Sequence, residues 1–64
     1  MQTLITEKKL SELTGFALPT LRNARHLRRL FPYYRLGDGR RAAIRYAMED
    51  VQSYIEQRRI DPEG

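Results

Sequence analysis

The chain has 64 residues, a net charge of +4 and no cysteine. A chain of this length buries only about 60 % of its unfolded surface, so we expect one small domain with a thin core. Disulfides and thiolate metal sites are excluded, no apolar run is long enough to span a bilayer, and the N-terminus lacks a signal-peptide pattern. The composition favours a soluble, cytoplasmic protein.

The first predicted helix covers about residues 7–14. Thr6 is a good N-cap, and Glu7 in the first turn complements the helix dipole. Leu10 and Leu13 are three residues apart and share a face. Gly15 can adopt the left-handed conformation that ends a helix.

A second helix is predicted over about residues 18–29. Pro19 is tolerated at the start of a helix, and Pro32 prevents much continuation. The apolar face carries Leu18, Leu21 and Ala24, flanked by Leu27 and Leu30. The opposite face carries Arg22, Asn23, His26 and Arg29. Two short helices joined by a glycine-containing turn are typical of a helix-turn-helix.

A β-hairpin follows, because Asp38-Gly39 is a strong signal for a tight turn. The strands are predicted at about residues 33–36 and 43–46, with the turn at residues 37–41. Tyr34 is the expected core residue of the tyrosine pair, rather than Tyr33, whereas Arg40 and Arg41 lie at the tip.

The third predicted helix covers about residues 47–59, with acids in its first turn and arginines in its last. Its apolar stripe contains Met48, Val51, Tyr54 and Ile55, and Tyr46 before it is also expected in the core. These elements predict a single domain, residues 1–64, with an ordered core at about residues 4–59. The predicted class is α+β, with a helix-turn-helix, a two-stranded β-hairpin and a C-terminal helix.

Charge is strongly segregated along the chain. From Arg22 to Arg45 there are eight arginines and one acid, which is a net charge of +7, whereas the rest of the chain carries −3. Guanidinium groups suit phosphate oxygens and guanine edges, so this basic stretch indicates a polyanionic partner. The competing interpretation is that these charges only keep the protein soluble.

This order of elements is that of a winged helix, and three stretches resemble one family of that kind. They are LITEKKLSELTGFALPTLRN, FPYYRLGDGRR and IRYAMEDVQSYIEQRR, which together cover about residues 4–59. The sequence resembles the small excisionase and AlpA-like DNA-binding proteins, which have a winged helix-turn-helix related to MerR regulators. The resemblance implies binding and bending of attachment-site DNA to promote excision by an integrase; some relatives also repress transcription.

By this resemblance, the recognition-helix positions fall on Thr20, Arg22, Asn23, Arg25 and His26, and the wing positions on Gly39, Arg40 and Arg41. The polar face of the second helix adds Arg29, and the hairpin adds Arg35. Arg22 is expected to contact guanine and Asn23 adenine, whereas Thr20 is expected at a phosphate. Arg25 and Arg28 project toward the apolar side of the helix and are weaker candidates for reading bases.

No enzyme, cofactor or metal site is expected, because the lone His26 has no neighbouring ligand and no nucleophile has a matching base. The expected partner is double-stranded DNA in a bacterial nucleoid, with a phage-type integrase and cooperative self-association on DNA as further partners. Two alternatives remain at this stage. One is a small phage or prophage transcriptional regulator, and the other is a basic module that binds protein or RNA.

Overall fold

A computed structural model of the protein describes residues 3–62. It is a small α+β structure with three helices, as predicted, and its antiparallel sheet has three strands. The elements in chain order are β1 (Leu4–Ile5), α1 (Glu7–Thr14), α2 (Leu18–His26), β2 (Tyr34–Leu36), β3 (Ala43–Ala47) and α3 (Met48–Gln57). Within the described part of the chain, no helix has both the length and the apolar character needed to cross a membrane.

The predicted hairpin is confirmed as the antiparallel pair β2 and β3, and β1 adds a third strand that the sequence does not predict. The strand order is β1-β3-β2, and β1 pairs antiparallel with β3 in the register Leu4 with Ala47 and Ile5 with Tyr46. The Thr3 carbonyl also accepts a hydrogen bond from the Met48 N–H at 2.8 Å, at the start of α3. Two apolar residues are too few to show the alternation of a strand, so β1 can be identified only from its pairing with β3 in the folded chain.

The predicted boundaries of α1 are confirmed. The Thr6 hydroxyl accepts a hydrogen bond from the Lys9 N–H at 3.1 Å. Gly15 has a φ of 82° and its N–H donates to the Ser11 carbonyl at 2.8 Å. A side-chain cap and a left-handed C-cap therefore fix the two ends of this helix.

Helix α2 ends at His26, not at residue 29. The Arg28 N–H donates to the Arg25 carbonyl at 3.0 Å and the Arg29 N–H donates to the Ala24 carbonyl at 2.8 Å, which is the bonding pattern of a Schellman motif. Arg28 adopts the left-handed conformation that such an end requires, with a φ of 56°. An arginine gives no sequence signal for this ending, because the position usually carries glycine. Arg29, predicted on the recognition helix, consequently lies outside it.

The reversal after α2 directs Phe31 into the core. Leu30 also has a positive φ, 70°, and the Phe31 N–H donates to the Arg29 carbonyl at 3.0 Å. The Phe31 side chain is 5 % exposed, and its ring lies 4.5 to 6.4 Å from the rings of Phe16, Tyr46 and Tyr54. The left-handed conformations of Arg28 and Leu30 cost roughly 1–2 kcal/mol each. Burial of Phe31 stabilises the fold by about 1.5–3 kcal/mol and so offsets much of this cost.

The core lies between the sheet and the helices. Its buried cluster contains Ile5, Leu10, Leu21, Phe31, Tyr46 and Val51, with Phe16, Tyr33, Ile44, Met48 and Tyr54 partly buried around it. The expected core positions of Tyr46 and Val51 are therefore confirmed. Several other apolar residues on the predicted stripes, Leu13, Leu27, Leu30 and Ile55, are exposed, because α1, α2 and α3 each bury only a narrow face.

The assignment of Tyr34 to the core is also wrong. Tyr34 pairs with Arg45 and Leu36 pairs with Ala43, and both Tyr34 and Leu36 are exposed. Tyr33 is the tyrosine that packs against the core. All three residues of β2 are exposed, and a shift of one residue in phase moves every side chain to the other face of a sheet.

The two residues of β1 give a test of this strand. Ile5 is 8 % exposed and Leu4 is 40 % exposed. Ile5→Ala should lower the free energy of unfolding by about 2–5 kcal/mol because it leaves a cavity in the core. Leu4→Ala should cost less than about 1 kcal/mol, since an exposed side chain leaves no cavity. Urea unfolding of both variants checks the register, and equal destabilisation would contradict it.

Candidate nucleic-acid interface

A cleft of about 430 Å³ lies between the end of α2 and the β2–β3 hairpin. We call it the basic cleft, because four arginines and no acidic residue line it. The lining residues are Arg25, His26, Arg28, Tyr33, Arg35, Gly39, Arg40, Ala42 and Ile44. Helix and hairpin thus contribute cations to one concave surface.

The helical side of the basic cleft is formed by the last turn of α2 and the residues that follow it. Arg25 and His26 belong to that turn, where a cation interacts favourably with the carbonyl end of the helix dipole. Arg28 follows in the left-handed position. The Schellman ending therefore adds a cation that a continuous helix would have placed elsewhere.

The hairpin side is ordered by an arginine that bridges the turn. The Nη2 atom of Arg35 donates to the Gly39 carbonyl at 2.6 Å, and the Ala42 N–H approaches the same carbonyl at 3.4 Å. Gly37 and Gly39 have φ values of 101° and 78°, which side chains rarely tolerate. This turn holds Arg40 at the edge of the cleft.

The structure brings together some of the predicted site residues and not others. Arg25, His26, Arg35, Gly39 and Arg40 line the basic cleft. The other predicted residues, Thr20, Arg22, Asn23, Arg29 and Arg41, are exposed but do not line it. The candidate interface therefore has a concave centre and exposed positions around it on α2 and on the hairpin turn.

Glu7, at the start of α1, contacts two other elements of the chain, α2 and β3. Its Oε2 atom accepts a hydrogen bond from the Tyr46 hydroxyl at 2.8 Å and from Nε of Arg25 at 3.2 Å. Its Oε1 atom lies 3.5 Å from Nε of Arg22. We call these four residues the Glu7 cluster. A carboxylate that is only 13 % exposed is thus surrounded by donors from α2 and β3.

The two arginines of the Glu7 cluster differ in their freedom. The Arg25 side chain is 23 % exposed, and its charge-assisted hydrogen bond fixes its position. The Arg22 side chain is 60 % exposed and its contact is longer, so its ion pair contributes only about 0–1 kcal/mol. Arg22 can therefore turn toward a ligand at little cost, whereas Arg25 is a structural residue as well as a lining residue.

No local pattern in the sequence groups these residues. The helix dipole is sufficient to explain an acidic residue at position 7, so Glu7 does not stand out in the sequence. Its partners Arg25 and Tyr46 are 18 and 39 residues away along the chain. Arg28 and Tyr33, which also line the basic cleft, were not predicted as site residues. Their placement depends on the end of α2 and on the phase of the hairpin strands, neither of which local patterns specify.

The buried polar side-chain atoms of the described residues all have hydrogen-bond partners. The same residues contain no group of three or more His, Cys, Asp or Glu side chains placed to bind a metal ion. The side chains that line the basic cleft include guanidinium, imidazole and phenol groups.

Tyr46 gives a test of the Glu7 cluster. Burial raises the pKa of Tyr46 well above the usual tyrosine value of 10.0, and the hydrogen bond to Glu7 raises this pKa further. The unfolded chain would ionise Tyr46 near pH 10, whereas the folded protein would keep it protonated. The stabilisation is therefore complete below pH 10, and the free energy of unfolding should fall as the pH rises above that value.

Near-ultraviolet absorbance of tyrosinate during an alkaline titration checks this expectation. Tyr46 should ionise in a late step, well above pH 10, and Tyr46→Phe should remove this late step. Tyr33→Phe is a control that should leave the late step in place. Ionisation of Tyr46 near pH 10 in the folded protein would contradict both the burial of its hydroxyl and the hydrogen bond to Glu7.

Comparison with known proteins finds no relative of this chain. No protein-family model, no curated protein sequence and no solved structure matches it. The geometry of the basic cleft and the residues of the sequence are therefore the grounds on which a function can be proposed.

Proposed function

We propose that the protein binds double-stranded DNA with α2 and the β2–β3 hairpin. The observation that carries this proposal is the basic cleft, in which four arginines from the helix end and the hairpin converge without an acidic residue. Phosphate groups are the abundant cellular anions that guanidinium groups bind with matched geometry. A concave surface lined by one sign of charge also raises the local concentration of a polyanion.

Most of the arginines in the basic stretch are available for such a partner. Within residues 3–62, the only ion pairs that involve this stretch are those of Arg22 and Arg25 with Glu7. A protein that needed charge only for solubility would have no reason to gather four arginines on one concave surface, of which only Arg25 has an ion-pair partner among residues 3–62. The segregation of charge and the folded geometry therefore support the same proposal.

The proposed docking places α2 in the major groove and the hairpin against the neighbouring backbone, as in a winged helix. The three helices and the sheet are compatible with that fold. Thr20, Arg22 and Asn23 are exposed on α2, and a major groove about 12 Å wide admits a helix. We assign Arg22 and Asn23 to base edges, and Thr20, Arg40 and Arg41 to phosphates.

The more specific role that we propose is that of an excisionase. Its support is the resemblance of the sequence to small excisionase and AlpA-like proteins, in the three stretches quoted above. In this role the protein would bind repeated sites in attachment-site DNA, with cooperative contacts between adjacent copies, bend the DNA and promote excision by a phage-type integrase. Control of transcription at the same sites is the alternative within DNA binding.

The hairpin turn provides a direct test of DNA binding. Arg40→Ala combined with Arg41→Ala should weaken binding to every duplex sequence and lower the salt slope by about 0.9 for each phosphate that the variant no longer neutralises. Fluorescence anisotropy of labelled duplexes over a salt series measures both quantities. The same titration with single-stranded DNA and a structured RNA should show weaker binding than to duplex.

The matched control is Lys8→Ala combined with Lys9→Ala. These residues are exposed on α1, and their removal changes the net charge by the same amount. The control should retain most of the salt slope of the unaltered protein. Equal effects of the two double variants would mean that the hairpin makes no specific contribution, and preferential binding to RNA would contradict the proposal.

An excision assay tests the more specific role. A supercoiled substrate should carry the two recombined attachment sites of the element that encodes the protein, and that element's integrase should be supplied. The protein should increase excision severalfold, and the Arg40, Arg41 double variant should lose this stimulation. Site-specific binding without any effect on excision would instead support control of transcription.

A further inference from the structure

The acidic residue of the Glu7 cluster is not explained by an interface built to attract phosphate. Glu7 lies at the start of α1, outside the basic stretch, yet its carboxylate contacts two arginines of α2. One of them, Arg25, lines the basic cleft, and the other, Arg22, is a proposed base-reading residue. A negative charge at this position opposes the approach of any DNA strand.

The geometry shows what the carboxylate does to these arginines. Oε2 of Glu7 lies 3.2 Å from Nε of Arg25, and Oε1 lies 3.5 Å from Nε of Arg22. Each carboxylate oxygen thus lies at the Nε atom of one guanidinium group, which is one of the donor positions that a phosphate oxygen could use. The Tyr46 hydroxyl donates to Oε2 at 2.8 Å and fixes the carboxylate in this position.

We propose that Glu7 is a specificity-determining residue, which acts as an internal competitor for phosphate at Arg22 and Arg25. Random-sequence duplex then binds through fewer phosphate contacts than the number of arginines would allow. Glu7 holds Arg25, whose side chain is 23 % exposed, more firmly than Arg22, whose side chain is 60 % exposed and can turn to a base edge of a target sequence at little cost. Glu7 therefore lowers non-specific affinity more than specific affinity.

This inference rests on the proposed function, since it concerns the discrimination between DNA sequences at the same surface. Glu7 acts through the arginines and does not itself contact DNA, so it is a positioning residue. Its role predicts an effect on the number of phosphates that the protein neutralises. A purely structural role would change stability and leave that number unaltered.

The test is Glu7→Gln, with binding to a random-sequence duplex measured between about 50 and 200 mM salt. Release of Arg22 and Arg25 should raise the salt slope by about 0.9 for each additional phosphate neutralised. Each additional phosphate should then make the decrease in affinity over this salt range about threefold larger. The ratio of specific to random-sequence affinity, with a site obtained by selection from random duplexes, should fall.

Three variants separate this effect from other causes. Glu12→Gln removes the same charge from an exposed position on the same helix and should leave the slope near that of the unaltered protein. Tyr46→Phe removes the hydrogen bond that fixes the carboxylate but keeps its charge, so it should lower stability and raise the slope less than Glu7→Gln does. In an Arg22→Ala, Arg25→Ala background, Glu7→Gln should no longer raise the slope.

The outcomes distinguish this inference from the proposed function. If the unaltered protein binds no duplex DNA, both fail. If the unaltered protein binds duplex and Glu7→Gln behaves like Glu12→Gln, the proposed function stands and the role of Glu7 is overturned. A slope that rises equally in Glu7→Gln and Tyr46→Phe would assign the effect to loosening of the fold and would also overturn it. All measurements are made at a temperature at which urea unfolding shows each variant to be folded.

Discussion

Strand β3 is hydrogen-bonded on both sides, to β1 on one side and to β2 on the other. Its pairing with β1 places residues 3–5 beside the start of α3, and its pairing with β2 forms the hairpin whose turn carries Arg40 and Arg41. Its residue Tyr46 packs in the core and donates to Glu7. Displacing this strand by one residue would turn Tyr46 outward and separate the sheet from the helices.

The second constraint is the strained segment between α2 and β2. Arg28 and Leu30 both adopt positive φ values, and the turn that they form brings Phe31 into the core. The same turn directs the chain back so that the hairpin faces the end of α2. The conformation that completes the core therefore also creates the basic cleft, so stability and the candidate interface depend on the same few residues.

Electrostatics links the N-terminal part of the molecule to the basic stretch in a similar way. Glu7 belongs to the weakly acidic remainder of the chain, but it lies against the basic stretch and holds Arg25 in place. A cluster of cations would otherwise repel itself and loosen the small core. The Glu7 carboxylate reduces this repulsion at α2, where it contacts Arg22 and Arg25. It does not contact Arg40 or Arg41 on the hairpin turn.

Local patterns in the sequence determined much of this protein. The caps at Thr6 and Gly15 and the turn at Gly39 correctly predict α1 and the hairpin, because each of these depends on neighbours within a few residues. The segregation of charge is a property of the sequence itself. Only the tertiary structure decided the rest: the pairing of β1, the end of α2, the choice of Tyr33 over Tyr34 and the Glu7 cluster. Strand register and ion-pair partners are set by contacts between residues far apart in the chain, and a pattern of neighbouring residues does not specify such contacts.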